Sequence, residues 1–145
     1  MNIESILAGK GREVRTIRPD ASIDQAVHRM RHERVGSLVV SEDGTTVAGI
    51  ISDRGIMNAL ADQGVEVLRR LVQDVMTREV FTCSRGDSVG AIMAAMTERR
   101  IRHIPVVEQD GRLGGIVSIG DVVKSRLDEI EREAEEMREY IGNAR

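Results

Sequence analysis

Tryptophan is absent from the chain, and one phenylalanine and one tyrosine complete its ring inventory. The interior therefore has to be aliphatic, filled by Val, Ile, Leu, Met and Ala. The same scarcity removes the aromatic platforms on which unpaired bases stack. A net charge of −3 supplies no cationic excess for a phosphate backbone, so no nucleic-acid partner is expected. The lone cysteine, Cys83, can neither close an intramolecular disulfide nor share a metal with a second thiol. It reads as a small core hydrophobe. No apolar run reaches membrane-spanning length. The opening Met1-Asn2-Ile3-Glu4-Ser5 lacks the basic start and apolar stretch of a signal peptide, so a cytoplasmic location away from membranes is expected. What is present is ordinary for a folded chain: 41% hydrophobic and 31% charged residues, which argues against disorder. The 145 residues suffice for one compact domain or two small subdomains sharing a core.

The chain repeats itself. Shifted by 66 positions, Glu13-Val14 falls on Glu79-Val80, Thr16 on Thr82, Ser22 on Ser88 and Met30 on Met96. In the same register Val40 meets Val106, Gly49-Ile50 meets Gly115-Ile116, and Ser52 meets Ser118. The register holds without gaps from about residue 13 to residue 55. Each copy opens with a short extended segment (Val14 to Ile17; Val80 to Cys83). A Ser cap and apolar residues at helical spacing follow: Ile23, Ala26, Val27 and Met30 behind Ser22, and Val89, Ile92, Met93 and Met96 behind Ser88. Ser22 and Gln25 have the spacing of a capping box. Two β-branched runs then flank Asp43-Gly44, and two more flank Asp110-Gly111, which predicts hairpins. A second helix closes each copy.

The unit is β-α-β-β-α, an α/β (α+β) fold, and neither copy can bury a sizeable core alone. The two are expected to pack sheet against sheet about a pseudo-twofold axis, leaving two related clefts between them. Residues 1–61 form the first unit with an N-terminal helix, 62–74 a linker helix, 75–127 the second unit and 128–145 a charged C-terminal helix. Val65, Leu68, Leu71 and Val72 predict that the linker helix packs on the outside.

Four strings carry a resemblance: Gly49-Ile50-Ile51-Ser52-Asp53-Arg54, Asp74-Val75-Met76-Thr77, Arg102-His103-Ile104-Pro105-Val106-Val107 and Gly115-Ile116-Val117-Ser118-Ile119-Gly120-Asp121. In this order and double occurrence the chain resembles the CBS-domain pair, or Bateman module, in a stand-alone bacterial or archaeal form. The resemblance implies an adenosine ligand (AMP, ADP or ATP, in some members NAD or S-adenosylmethionine), no catalysis, and commonly a disc-shaped homodimer. The family's ribose motif, Gly-h-h-Ser/Thr-x-x-Asp, is intact at Gly115, Ser118 and Asp121. In the first copy Gly55 stands where the aspartate belongs.

By that resemblance the nucleotide site comprises Thr16, Ile17, Arg18 and Ala21 around the adenine. Arg102 and His103 face the phosphates, Ile104 and Pro105 give apolar contact, and Ser118, Ile119, Gly120 and Asp121 hold ribose and phosphate. A weaker second site uses Leu38, Ser52, Arg54, Thr82 and Cys83. The chemistry is apt: an ionised carboxylate accepts from both hydroxyls of a cis-diol, and guanidinium binds phosphate bidentately. The competing reading of Ser118 and Asp121 is a helix-capping pair. The first copy retains Ser52 and its helix without the acid, which favours a ligand role for Asp121. Gly36 and Ser37 replace Arg102 and His103 in the first copy, so acid and bases are absent together; this suggests that they serve one ligand.

Gly115 to Gly120 misses the esterase nucleophile elbow, because the first glycine lies three residues before the serine instead of two. His28 and His32 have a metal-compatible spacing but sit among Arg and Glu without a third ligand. They read as a solvated face, and no metal is expected. Val123, Leu127, Ile130, Ala134, Met137 and Ile141 alternate spacings of four and three, a heptad seam on a charged helix that suits dimerisation or partner docking. The expected function is a regulatory module that binds an adenine nucleotide and signals to a partner protein. The alternatives are a ligand-free dimerising scaffold and an NAD-binding redox sensor.

Overall fold

The structure is a computed structural model that describes residues 1–143. The first repeat comprises β1 (Thr16–Ile17), α2 (Ile23–Glu33), β2 (Ser37–Val40), β3 (Gly49–Ser52) and α3 (Asp53–Gln63), and it follows α1 (Ile3–Lys10). A 3-10 turn (Val65–Arg69) and a short α4 (Val72–Val75) lead to the second repeat: α5 (Val89–Arg99), β4 (His103–Val107), β5 (Leu113–Ser118) and α6 (Ile119–Asn143). Residues 144–145 of the expected C-terminal helix lie outside the described residues.

The start of α2 shows how sequence becomes local structure. The Ser22 hydroxyl accepts from the Gln25 amide at 3.1 Å, and the Gln25 side chain accepts from the Ser22 amide at 2.9 Å. Two otherwise orphaned donors are thus satisfied together. Ile23, Ala26 and Met30 then fall on one buried face. The hairpin turns form where Asp-Gly stood: Gly44 and Gly111 hold φ of 81° and 87°. The Asp43 carboxylate accepts from the amides of Thr45 and Thr46, and these bonds hold its pKa well below the usual carboxylate range.

In the first sheet β1 pairs parallel with β2 and β2 antiparallel with β3. In the second, β4 and β5 pair antiparallel. The opening strand expected at Val80 to Cys83 shrinks to a single bridge, Cys83 to Val106. Its carbonyl and amide still engage the Val107 amide and the Pro105 carbonyl at 2.9 and 3.0 Å.

Two aliphatic cores result. One gathers Ile17, Ile23, Ala26, Leu38, Val40, Ile51, Ile56 and Val72; the other gathers Ile3, Leu7, Val89, Ile92, Met96, Ile104, Val117 and Val122. The memberships cross the repeat boundary. α1 precedes the first repeat in the chain yet packs in the second core, against β5 and α6. α4 precedes the second repeat yet packs in the first core, against β3 and α2.

The two exchanges match in detail. Ile3 donates its amide to the Asp87 carbonyl at 3.0 Å, and Val72 donates to Ala21, the position equivalent to Asp87, at 2.7 Å. Glycine makes both contacts close. A Cβ on Gly49 would lie 2.6 Å from the Met76 sulfur and 2.8 Å from the Thr77 carbonyl oxygen, and one on Gly115 would lie 2.8 Å from a Leu7 methyl. The linker is therefore not one helix on the outside. It is a 3-10 turn and a short helix whose Val67 and Val72 are fully buried, because the apolar spacing serves two separate contacts with the first repeat.

Candidate functional site

Two clefts separate the repeats, and the 66-residue offset relates them. The first, of about 410 Å³, lies between Ile116 and Ser118 on β5 and the first repeat's Glu13, Arg15, Arg34 and Val35, with Lys10 and His103 also on its wall. The second, of about 260 Å³, lies between Ile50, Ser52 and Arg54 and the second repeat's Glu79, Phe81, Arg100, Ile101 and Arg102. Glu13 matches Glu79, Arg34 matches Arg100, Val35 matches Ile101, and Ser118 matches Ser52. Each cleft thus joins the hairpin end of one repeat to the opening and helix-end residues of the other. Only the first falls within the 300–1,000 Å³ range usual for small-molecule sites.

At the end of β5 the Asp121 carboxylate accepts from the Ser118 amide at 2.8 Å, and the Ser118 hydroxyl accepts from the Asp121 amide at 3.2 Å. This is a reciprocal capping pair, the reading set against ribose binding. The Lys10 ammonium reaches the same carboxylate at 2.7 Å and donates to the Ile116 carbonyl at 3.0 Å. Burial opposes the charge on Asp121. The Lys10 ion pair and the Ser118 amide outweigh it and hold its pKa below the usual value. Asp121 itself lines a groove between α1 and α6, and Lys10 stands between that groove and the first cleft.

Arg102 lies elsewhere than expected. It lines the second cleft and pairs with Asp53, the first residue of α3, at 2.8 Å. Acid and bases therefore do not converge as one set. His103 borders both clefts, and its ring comes within 3.2 Å of where a Cβ on Gly36 would stand. Near the pseudo-axis only one copy has room for a large side chain. That packing accounts for Gly36 opposite His103. Burial, aided by the Arg102 charge, lowers the His103 pKa.

The residues expected around the adenine separate as well. Ile17, Arg18 and Ala21 border a surface depression of the first repeat alone, with Gln25, His28 and Arg29, and Thr16 is occupied pairing with Val39. The strand's direction carries Arg15 and Glu13, just before it, to the cleft instead. Ile104 and Pro105 are buried inside β4, while Ile119 packs on the second core and Gly120 is exposed in the first turn of α6. Of the second set, Ser52 and Arg54 line the second cleft, but Leu38 and Cys83 are core residues and Thr82 does not reach the cleft wall. Burial, reinforced by the nearby Asp87, pushes the Cys83 thiol up to about 12, which suits an inert core residue. His28 bonds the Asp24 carbonyl at 2.8 Å, and no metal-type cluster occurs among the described residues.

Sequence reasoning passed over Lys10, Glu13, Arg15 and Arg34. The signal for Arg34 was the repeat itself: Arg34 and Arg100 occupy equivalent positions after α2 and α5, and both hold φ of 56° and ψ of 45°. A left-handed conformation is uncommon for a residue with a Cβ. Here it places one arginine on the wall of each cleft.

This architecture of two exchanged β-α-β-β-α repeats with paired clefts defines a class, and comparison with known proteins agrees with it. The chain belongs to the CBS domain family, which matches residues 11–62 and 72–128 as a pair. A mitochondrial CBS domain-containing protein of Arabidopsis thaliana is 37% identical over 126 residues, covering 84% of this chain; the chain spans 61% of that protein's length. The crystal structure of a CBS-domain containing protein from Agrobacterium tumefaciens superposes with a TM-score of 0.83 at 41% identity, covering 87% of this chain and 99% of that one. A CBS domain pair solved in complex with 5′-methylthioadenosine and S-adenosyl-L-methionine superposes at 0.75 with 26% identity, covering 90% and 98%. No helix among the described residues is long and apolar enough to cross a membrane.

Proposed function

We propose that this chain is a regulatory module that binds an adenosine ligand, AMP, ADP or ATP, in the first cleft and transmits the binding to a partner protein. The observation that carries this reading is the first cleft itself. Ile116 and Ser118 of β5 line it together with Arg15 and Arg34 of the first repeat, and Asp121, capped onto Ser118, lies just behind Lys10. An acid for a ribose diol and guanidinium groups for phosphate are thus held on two different repeats. A ligand that touches both repeats favours one relative placement of them, and such differential affinity is the requirement for signalling. The relative solved with methylthioadenosine and S-adenosylmethionine supports the adenosine part. For a diol to reach Asp121, Lys10 must give up its ion pair; in this reading Lys10 is the group that moves on binding.

The test is a thermal-shift panel of AMP, ADP, ATP, NAD and S-adenosylmethionine. A ligand at a hundredfold excess over its dissociation constant stabilises by about 2.7 kcal/mol. Asp121→Ala, measured against its own unliganded midpoint, is expected to lose most of that shift; an unchanged shift removes Asp121 from the site. No shift with any adenosine compound favours the ligand-free scaffold, and a shift with NAD alone favours the redox-sensor reading.

A further inference from the structure

We infer that two copies of this chain associate through a parallel, in-register coiled coil of their α6 helices. The inference is independent of the ligand reading and commits the expected homodimer to one face and one orientation. α6 buries Val122 and Ser125 against the module, while Val123, Leu127 and Ile130 stand on the opposite, exposed side. From residue 130 to residue 143 every position is exposed, so the second half of the helix leaves the module behind. Leu127 is 61% exposed and Met137 60% exposed. An apolar seam of this kind on a long helix, facing away from its own core, calls for a cover.

Charge identifies the cover and its direction. With Leu127, Ala134 and Ile141 at a and Val123, Ile130 and Met137 at d, the flanking g positions hold Arg126 and Glu133. The flanking e positions hold Glu131 and Arg138. In a parallel pair each g residue faces the e residue five positions later on the other helix. Arg126 then meets the second copy's Glu131, and Glu133 meets its Arg138. Both pairings are attractive, and symmetry doubles them.

The antiparallel pairing that covers the whole seam sets Leu127 against Met137 and Ile130 against Ala134. It places Glu131 against Glu131, Glu133 against Glu133 and Lys124 against Arg138, all repulsive. Sliding the helices by one heptad relieves the charges but leaves Met137 and Ile141 uncovered in one direction and Val123 and Leu127 in the other. Only the parallel register satisfies seam and charge together. Within one chain Arg126 pairs with Glu129 at 3.1 Å, a contact exchanged on association.

The test uses the full chain and sedimentation velocity over a concentration series, because a seam of under three heptads is expected to dissociate on dilution. A dimer is expected, and Leu127→Asp with Met137→Asp, which lie on exposed positions, is expected to give a folded monomer by circular dichroism. Met137→Cys is expected to cross-link to itself under mild oxidation, since it faces its own copy only in the parallel register and Cys83 is buried. Glu133→Lys is expected to weaken the dimer and Glu133→Lys with Arg138→Glu to restore it. A monomer at every concentration overturns both the homodimer and this inference. A dimer that survives the double Asp substitution, fails to cross-link at 137 or is not rescued by the charge swap overturns the inference alone.

Discussion

Arg34 carries a cost that its position explains. Its backbone is left-handed at φ 56°, where the following Val35 amide still reaches the Met30 carbonyl at 3.0 Å to close α2. Glycine is the residue that normally ends a helix this way, because it has no Cβ to collide with the backbone. Arginine keeps the turn and adds a guanidinium to the first cleft wall. Arg34→Gly is therefore expected to raise unfolding stability by about 0.5–1 kcal/mol while reducing the nucleotide-induced shift. Chemical denaturation with and without AMP measures both. A variant that gains stability and keeps the full shift would take Arg34 out of the site. The repeat pairs Arg34 with Arg100, but the side chain's direction depends on a backbone angle that the sequence does not reveal.

At the scale of elements, β3 and β5 carry equivalent glycines, Gly49 and Gly115, pressed by different neighbours. Gly49 faces the Met76 sulfur and the Thr77 carbonyl, and the Thr77 backbone is itself bonded to Ile50 at 2.9 and 3.0 Å, so it cannot retreat. The three atoms nearest a Cβ on Gly115 all belong to the Leu7 side chain, which is buried in the second core but, unlike the Thr77 backbone, is not pinned by hydrogen bonds. Gly49→Ala is expected to destabilise by about 1–3 kcal/mol, and Gly115→Ala by less. Thermal or urea unfolding of the two variants checks the order, and equal losses would contradict the greater give of the Leu7 contact. The element order, caps and Asp-Gly turns were legible from spacing alone, because those signals are local. The linker departs from its expected single helix for the opposite reason. A run of Val65, Leu68, Leu71 and Val72 has helical spacing whether one surface or two receive it.

Across the whole molecule, His103 sits where the repeats meet, and its titration reports on their packing. Arg102 and Lys10 oppose its protonation, Asp53 and Asp121 favour it, and burial, the largest influence, opposes it. The folded chain therefore takes up this proton at a lower pH than the unfolded chain, which takes it up near 6.5. Between those two values the unfolded state binds more protons, so acidification favours unfolding. Stability from this residue is complete above 6.5 and falls as the pH drops through the lower, folded value. His103→Gln is expected to flatten the thermal midpoint over that window. A slope that persists unchanged assigns it to other groups. Asp121 acts in a separate range: its lowered pKa supports the fold above the carboxylate value of 3.8 and loses that support below it.

What the amino-acid sequence determined by itself was the repeat, its β-α-β-β-α unit and the family, all of which rest on spacing within a few residues or on one constant offset; it left the pairing of Ser118 with Asp121 as the less favoured of two readings. What only the tertiary structure decided was which residues share a cleft. Arg102 immediately precedes His103, the first residue of β4, yet pairs with Asp53 on the second cleft, and Lys10, over a hundred residues before Asp121, holds its carboxylate. A pseudo-twofold axis assigns the end of each repeat to the opening of the other. The sequence offset reveals that the axis exists, but only packed side chains around Gly36 and His103 show where it passes.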